Sequence, residues 1–348
     1  MRPALAIKPE IAAWSNTSTS RITGANAGRS APIRKTKSSV FCLEPLILPN
    51  AMDLLHPQLA AFAAVLEEGS FDAAARRLSV TPSAISQRIK ALEDRLGQVL
   101  VIRKAPCRPT PAGERLLRRV KPMQVLESEA IADFLPGDGS AGHPRTLAIA
   151  VNDDSLQTWF LAALAALHRE HGVLFDVQMD DQDHTLELLR SGAVLGAVTA
   201  ERKPLQGCNV QALGVMRYHA IASAAFVATH FKQGFSAAAL AHAPMLVFNR
   251  KDTLQTRFVR RITRTQVAPP IHYLPTSTGF VEAAARGLGW CLAPESMVVP
   301  AVRDRQVVII DPTRWLDVPL YWQCAAVRSR ALQQLGQALR KAASASLR

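Results

Sequence analysis

The chain has 348 residues and a basic composition, with 41 Lys and Arg residues against 28 Asp and Glu and a formal net charge of +13. This length accommodates two or three domains with at least one sizeable core, and a positive excess of this size suits a polyanionic partner. No stretch reaches the roughly 18 apolar residues of a membrane helix. An odd set of five cysteines without metal-ligand spacing argues against a disulfide framework or a zinc site. We therefore expect a cytoplasmic protein without a membrane segment, a metal ion or another cofactor.

Residues 1–51 show no sustained hydrophobic period and are rich in Ser, Thr, Asn and Pro, with seven Lys or Arg against two acids. Such a segment buries too little apolar surface to order itself. It also lacks the long apolar core of a secretory signal. We expect this extension to be either a disordered basic tail or the product of a start assigned too far upstream.

Residues 53–110 predict a small domain of three helices and a two-stranded wing. A first helix is expected over 57–68 from its apolar spacing. Ser70 is a favourable N-cap for a second short helix that opens with Phe71. Thr81 then caps a third helix, with Pro82 at the first position, where a missing N–H costs nothing.

The third helix is predicted to read DNA. Its apolar stripe of Ala84, Ile85, Ile89 and Leu92 turns inward, and polar side chains are left facing outward: Ser83, Ser86, Gln87, Arg88 and Lys90. Short hydroxyls, an amide and a guanidinium at a helix N-terminus suit base edges and phosphates. A bracing helix followed by a reading helix is the helix-turn-helix arrangement. The alternative is a solvated face of an ordinary amphipathic helix.

Basic side chains are concentrated directly after the reading helix. Residues 103–121 carry seven Lys or Arg against the single acid Glu114, and Arg103, Lys104 and Arg108 fall in the wing. Lys and Arg side chains beside a reading helix suit contacts with the phosphates of the DNA backbone. Together with Phe71, Thr81 and Pro82, these residues complete the predicted DNA-contacting set.

Residues 111–135 predict a long helix, capped by Thr110, whose apolar positions recur at helical spacing: Leu116, Leu117, Val120, Met123, Val125, Leu126 and Ile131. Residues 136–145 have the composition of a flexible hinge.

The segment FDAAARRLSVTPSAISQRIKALEDRLGQVLVIR, with RPTPAG at 108–113, resembles the N-terminal domain of the LysR-type transcriptional regulators. The resemblance implies a winged helix-turn-helix and a chain that begins near Met52. It further implies that the linker helix of 111–135 pairs with its twin, in a homodimer or a dimer of dimers on a two-fold related operator in double-stranded DNA. RNA polymerase is then an expected partner. The alternative for the linker helix is packing on its own domain.

From residue 146 onward, strands alternate with helices, a pattern that predicts an α/β fold with a parallel sheet. Strands are expected at 146–151, 173–179, 193–199, 218–223, 245–248, 271–274, 290–293 and 318–327, and helices at 156–168, 184–190, 253–264, 277–286 and 330–343. Two such halves resemble the periplasmic-binding-protein-like, two-lobed effector domain of the same family. We expect lobe I over about 146–213 and 316–348, and lobe II over about 214–315.

Ligands bind beyond the carboxyl ends of the strands in open α/β sheets. This rule selects Asn152, Asp153, Asp154 and Ser155, then Asp180 and Asp181, then Thr199, and finally Thr276 and Ser277. Carboxylates suit the amino groups of a cationic ligand, and the helix starts after Ser155 or Thr276 suit its α-carboxylate. Lysine and arginine fit this description. The alternative is that the aspartates cap helices and face water.

Five segments, including VNDDSLQTWFL and LPTSTGFVEAAARGLGWCLAPE, resemble the ArgP branch of the family, whose members are also called LysG or IciA. That branch senses lysine and arginine and controls export or metabolism of basic amino acids. Another effector on the same fold remains an alternative. No nucleophile elbow, P-loop or His-Glu-x-x-His motif favours an enzyme. A plain solute-binding protein has no use for a helix-turn-helix, and an architectural DNA protein needs no ligand domain.

Overall fold

A computed structural model of the chain describes residues 54–134, 146–179, 185–265 and 267–348. The expectations for the extension 1–51, the hinge 136–145 and the acids Asp180 and Asp181 therefore lie outside the described residues. None of the helices within the described ranges has both the length and the apolar character needed to cross a bilayer.

The N-terminal part folds as three short helices followed by a small hairpin. Its elements are α1 (Pro57–Glu68), α2 (Phe71–Arg77), α3 (Pro82–Leu96), β1 (Val101–Ile102) and β2 (Arg108–Pro109). The predicted caps are confirmed: the Ser70 hydroxyl accepts the Ala73 N–H and the Thr81 hydroxyl accepts the Ala84 N–H, at 3.4 and 3.2 Å. Fully buried apolar side chains on the three helices form the core: Phe62, Val65, Ala74, Ile85 and Ile89.

The linker helix α4 (Pro111–Ala132) begins against the wing. Thr110 caps it by accepting the Gly113 N–H at 3.1 Å, and the same hydroxyl donates to the Val99 carbonyl at 2.7 Å. A Cβ at Gly113 would lie 2.2 Å from the Leu100 carbonyl oxygen, so only glycine permits this approach. The start of the linker helix is thereby fixed to the DNA-binding part.

The remaining elements form the effector-binding part. They are β3 (Thr146–Val151), α5 (Asp153–Ser155), a π-helical turn (Leu156–Phe160), α6 (Leu161–His171), β4 (Leu174–Met179), α7 (Thr185–Ser191), β5 (Gly196–Thr199), β6 (Cys208–Ala222), α8 (Ala224–His230), α9 (Ala237–His242), β7 (Met245–Val247), α10 (Leu254–Thr263), β8 (Ile271–Tyr273), α11 (Thr278–Ala285), β9 (Cys291–Pro294), α12 (Glu295–Arg303), β10 (Val308–Ile309), β11 (Trp315–Ala325) and α13 (Arg330–Ser344).

One sheet runs in the order β10-β6-β11-β5-β3-β4, with β9 also on β6, and β7 pairs with β8 separately. The pairs β3-β4, β3-β5 and β7-β8 are parallel, as the alternation of strands and helices predicts. The long strands β6 and β11 are antiparallel to their neighbours. They join the two halves because each is long enough to pair in both.

The boundaries of several predicted elements are wrong by three residues or more; the strands expected at 193–199 and 318–327, for example, begin at Gly196 and Trp315. The strand expected at 218–223 begins at Cys208, because the preceding residues pair with the C-terminal strand β11. The helix expected at 156–168 is part of a continuous helical run over 153–171 that begins at Asp153. Carboxylates are favourable in a first helical turn, where they face the positive end of the helix dipole. Ser155 therefore lies within the helix and does not precede it.

Candidate DNA interface and effector cleft

The outward face of α3 has the exposure that a reading surface needs. Ser83, Gln87 and Lys90 are exposed, and Ser86 and Arg88 are half-buried. Within the described ranges, no hydrogen bond or ion pair engages the side chains of Gln87, Arg88 or Lys90. These side chains are therefore available to another molecule. Pro82 and Thr81 are also exposed, where they start the helix.

The wing is tied to the reading helix through Glu93. One carboxylate oxygen of Glu93 accepts the backbone N–H groups of Leu100 and Val101 at 2.8 and 3.3 Å, and the other lies 3.4 Å from the Arg103 guanidinium. Arg103 also stacks over the Phe71 ring, with 5.4 Å between the guanidinium carbon and the ring centroid. Phe71 is half-buried against the domain core and thus supports Arg103. Lys104 and Arg108 are exposed beside it.

A small cavity of about 30 Å³ lies where the two halves of the effector-binding part meet. Its walls come from the start of the 153–171 helix and from the second half of the chain: Asn152, Asp153, Asp154, Phe248, Asp252, Leu254, Gln255, Ser277, Phe280 and Leu292. Four of the predicted effector residues are among them. We refer to this set as the effector cleft.

Asp153 bridges the two sides of the effector cleft. Its carboxylate accepts the Ser277 backbone N–H at 2.6 Å and the Gln157 side-chain amide at 3.1 Å. Both Asp153 and Ser277 are buried. Ser277 immediately precedes α11. The Asp153 carboxylate therefore engages an N–H group at the start of a helix, a position where anions bind favourably.

Asp154 faces the same cavity and is held by the long strand β6. Its carboxylate accepts the Tyr218 hydroxyl at 2.7 Å. Burial, and to a lesser extent the charges of Asp153 and Asp252, raises the pKa of Asp154 to about 6, while hydrogen bonds from Tyr218 and Ser277 act in the opposite direction. Like charges in a confined site disfavour the ionised form. A cationic group placed in the cleft would relieve that repulsion.

Two buried amides line the cleft without a hydrogen-bond partner among the described residues. The side chains of Asn152 and Gln255 are 2% and 1% exposed, and neither the nitrogen nor the oxygen of either amide is paired. A buried unpaired polar group costs about 1–3 kcal/mol. The wall of the cavity therefore contains two amides whose donors and acceptors have no partner among the described residues.

The structure brings together only part of the predicted effector set. Ser155 is buried inside the helix, and its hydroxyl has no partner in the described part of the chain. Thr199 accepts the Glu201 N–H at 3.1 Å. Thr276 caps the following turn by accepting the Gly279 N–H at 3.3 Å. None of these three lines the cleft.

Tyr218, Asp252 and Gln255 also belong to this site, although they were not predicted from the sequence. Asp252 accepts the N–H groups of Phe248 and Leu254 at 3.0 and 2.9 Å and so shapes the turn before α10. Asp252 could have been predicted, because it closes the Asn-Arg-Lys-Asp run that follows β7 and the rule for strand ends applies to this strand as well. Tyr218 and Gln255 lie within regular elements and carry no local signal.

The fold and the two sites define a class: a DNA-binding regulator with a domain that binds a small molecule. Two family profiles match this chain, one described as bacterial regulatory helix-turn-helix protein, lysR family, over residues 56–114, and one as LysR substrate binding domain over residues 140–344. The chain therefore belongs to the LysR family of transcriptional regulators.

Relatives within the family are similar over most of their length. The regulator LysG of Mycobacterium tuberculosis strain H37Rv is 50% identical over 289 residues, which cover 83% of this chain and 93% of the relative. The lysine export transcriptional regulatory protein LysG of Corynebacterium glutamicum is 39% identical over 293 residues, 84% of this chain and 98% of the relative. A structure of full-length C. glutamicum LysG with bound effector Arg matches with a TM-score of 0.68 at 37% identity, and covers 84% of this chain and all of that one.

Proposed function

We propose that this regulator takes a basic amino acid, arginine or lysine, as its effector and controls genes for the export or metabolism of basic amino acids. The observation that carries the proposal is the effector cleft, in which Asp153, Asp154 and Asp252 meet the unpaired amides of Asn152 and Gln255. Similar regulators support it, since the C. glutamicum relative has arginine bound and is named for lysine export. The effector is bound and not converted.

The chemistry of the cleft supports a zwitterion with an extra positive charge. The aspartates accept the N–H groups of a guanidinium or ammonium, and the Ser277 N–H at the start of α11 suits an α-carboxylate. Asp153 holds that N–H in the structure, so the ligand carboxylate and Asp153 compete for one donor.

The cleft must open to admit such a ligand. Pockets that hold small molecules usually measure roughly 300–1,000 Å³, whereas the cavity here measures about 30 Å³. We infer that the two halves separate, the ligand displaces Asp153 from Ser277, and the halves close again on the ligand.

Calorimetry on the full chain tests the proposal, with L-arginine and L-lysine as ligands and L-glutamate as the anionic control. We expect binding of at least one basic amino acid and none of glutamate. Binding of glutamate alone would reject this effector class and would leave the family assignment intact.

We further propose that the exposed reading surface of α3 binds DNA as part of a homodimer joined through the linker helix α4, with RNA polymerase as a further partner. Val120 and Val125 of α4 pack on the same chain, whereas Met123 and Leu126 are 46% and 39% exposed on another face. That face is available to a second copy. Met123→Glu should shift the mass measured by sedimentation towards the monomer, while Glu114→Gln should not. An unchanged mass for Met123→Glu would show that the dimer contact does not involve this face of α4.

A further inference from the structure

A buried carboxylate near the end of the linker helix contacts the effector-binding part. Glu129, near the end of α4, is 6% exposed, and its carboxylate accepts the Ser329 hydroxyl at 2.8 Å and the backbone N–H groups of Arg330 and Ala331 at 3.1 and 3.0 Å. These donors belong to the start of α13, some 200 residues further along the chain. We call this contact, formed by Glu129, Ser329, Arg330 and Ala331, the Glu129 clasp.

The clasp completes the capping of α13. The first N–H groups of a helix have no partner within it. The Ser329 hydroxyl accepts the Leu332 N–H at 3.2 Å. The Glu129 carboxylate accepts the two preceding N–H groups, those of Arg330 and Ala331. A carboxylate is the favoured group here because it faces the positive end of the helix dipole. The linker helix thus supplies acceptors for two first-turn N–H groups of α13 that the Ser329 hydroxyl does not engage.

Two further contacts join the linker helix α4 to the effector-binding part. Val125, one turn before Glu129, is buried in the main core cluster of that part. Nearer the DNA-binding helices, a Cβ at Gly192 would lie 2.7 Å from the Arg118 backbone nitrogen, so the two backbones touch. Gly192 has a φ of +80°, which glycine adopts without strain.

The clasp connects to the effector cleft through packed helices. α13 packs along α6 and the π-helical turn, and these continue the helical run that starts at Asp153 in the cleft. Phe160, Leu164 and Leu335 belong to one buried cluster. A π-helical turn marks a place where a helix departs from regular geometry, frequently at a functional site. A shift of Asp153 on ligand entry therefore acts on the helix against which α13 rests.

We propose that the Glu129 clasp fixes the orientation of the linker helix on the effector-binding part and transmits the occupancy of the cleft to the DNA-binding helices. The fixing of the linker helix stands on the contacts themselves, and the transmission rests on the proposed function.

Hydrogen exchange on the full chain tests the clasp directly and uses no ligand. In Glu129→Ala the amides of Arg330 and Ala331 should exchange at least about tenfold faster, the factor that 1.4 kcal/mol produces. Asp133→Ala is the matched control, because Asp133 sits on the same helix end and pairs at 2.6 Å with the exposed Arg330 side chain, not with a backbone N–H of α13 among the described residues. Unchanged exchange in Glu129→Ala would overturn the clasp.

A second pair of variants opens the contact without touching Glu129. Gly192→Ala forces a Cβ against the Arg118 backbone, whereas Gly207→Ala has the same φ of +80° and nothing within 4 Å. If Glu129→Ala does not fold, the first-turn amides of α13 should still exchange faster in Gly192→Ala than in Gly207→Ala. Equal exchange in the two would contradict the docking.

Transmission is measured as the ratio of affinities for a duplex selected by the wild-type protein, with and without L-arginine. Coupling between sites usually amounts to about 5–150-fold. In Glu129→Ala the ratio should move towards one, while the calorimetric affinity for arginine changes less than twofold. A wild-type ratio retained in Glu129→Ala would overturn transmission through the clasp. Absence of arginine binding to wild type would instead reject the proposed effector, and the exchange measurement would still decide whether the clasp exists.

Discussion

The hydroxyl of Tyr218, on the long strand β6, donates a 2.7 Å hydrogen bond to the carboxylate of Asp154 at the start of the 153–171 helix. This bond stabilises the ionised form of a carboxylate whose pKa burial raises to about 6. It links the strand shared by both halves of the effector-binding part to the wall of the cleft. The charge state of Asp154 therefore changes near neutral pH.

Arginine affinity should consequently rise with pH. The pKa of Asp154 is above the usual 3.8, so below about pH 6 the carboxyl is protonated in the folded protein and attracts a cation poorly. Binding of a cation favours the ionised form of Asp154. Arginine binding below about pH 6 should therefore release up to about one proton per site. Calorimetry in two buffers of different ionisation enthalpy counts this proton. A pH-independent affinity between pH 5 and 7.5 would show that Asp154 does not face the ligand charge.

Tyr218→Phe should move the midpoint of that pH profile upward, because the hydrogen bond that favours the carboxylate is lost. Arginine affinity at pH 7 should fall, and most of it should return at pH 8. Tyr321→Phe, a half-buried tyrosine on β11 outside the cleft, is the control and should leave the profile unchanged. A loss of affinity that is equal at all pH values would assign Tyr218 a packing role only.

Gln255→Leu should separate ligand affinity from stability. Removal of a ligand-satisfied amide should lower arginine affinity by about 10- to 100-fold, which corresponds to roughly 1–3 kcal/mol. The unliganded protein should melt no lower than wild type, because the substitution replaces an unpaired buried amide with an apolar side chain of similar size. Gln333→Leu, on the exposed face of α13, should change neither quantity. A Gln255→Leu protein that binds arginine as wild type does would place the ligand elsewhere.

Gln87→Ala and Arg88→Ala should each weaken specific DNA binding, since a good base contact contributes about 1–3 kcal/mol. Gln87→Ala should alter the preferred base more, and Arg88→Ala should weaken binding more evenly across sequences. Arg95→Ala on the last turn of the same helix serves as the control; its guanidinium donates to Gln58 at 3.0 Å. Selection of duplexes from a random pool measures both affinity and preference. Wild-type selection by both Gln87→Ala and Arg88→Ala would show that α3 does not read DNA.

Gly113→Ala and Gly336→Ala should shift the melting temperature in opposite directions, although both glycines are buried in helices. A Cβ at Gly113 meets the Leu100 carbonyl oxygen at 2.2 Å, so the linker helix must move off the wing and stability falls. A Cβ at Gly336 meets its nearest neighbours at 3.6–3.7 Å, ordinary contact distances, so the higher helix propensity of alanine should add about 0.5–1 kcal/mol. Differential scanning calorimetry distinguishes the two. A stabilised Gly113→Ala would contradict the close approach at the wing.

The starts of the N-terminal helices could be predicted to the residue because their signals are local. Ser70, Thr81 and Thr110 each cap a helix by a bond to a backbone N–H within three residues. Such bonds depend only on nearby sequence.

The long strand β6 could not be predicted over its first half for the opposite reason. Residues 208–217 owe their extended form to β11, whose partner residues lie about 100 positions later in the chain. Gly214 interrupts the stretch as well, with a φ of +143°. Strand pairing at this separation leaves little trace in a single segment.

The effector cleft was predictable only in part, on the side that follows β3 and at Ser277 before α11. Asn152, Asp153 and Asp154 follow a strand end directly, and the rule for α/β sheets selects them. Gln255 lies in the first turn of a helix and meets the cleft only because α10 packs there. Its burial and missing partners appear only in three dimensions.

We propose that one chain joins a DNA-reading helix to a cleft for a basic amino acid. The most direct measurement is the affinity of the full chain for a selected duplex as L-arginine, L-lysine or L-glutamate is added. A change with arginine or lysine that is lost in Gln255→Leu, and no change with glutamate, is the predicted result. A response to glutamate alone would reject a basic amino acid as the effector, and a response to arginine that Gln255→Leu leaves intact would place the effector outside this cleft.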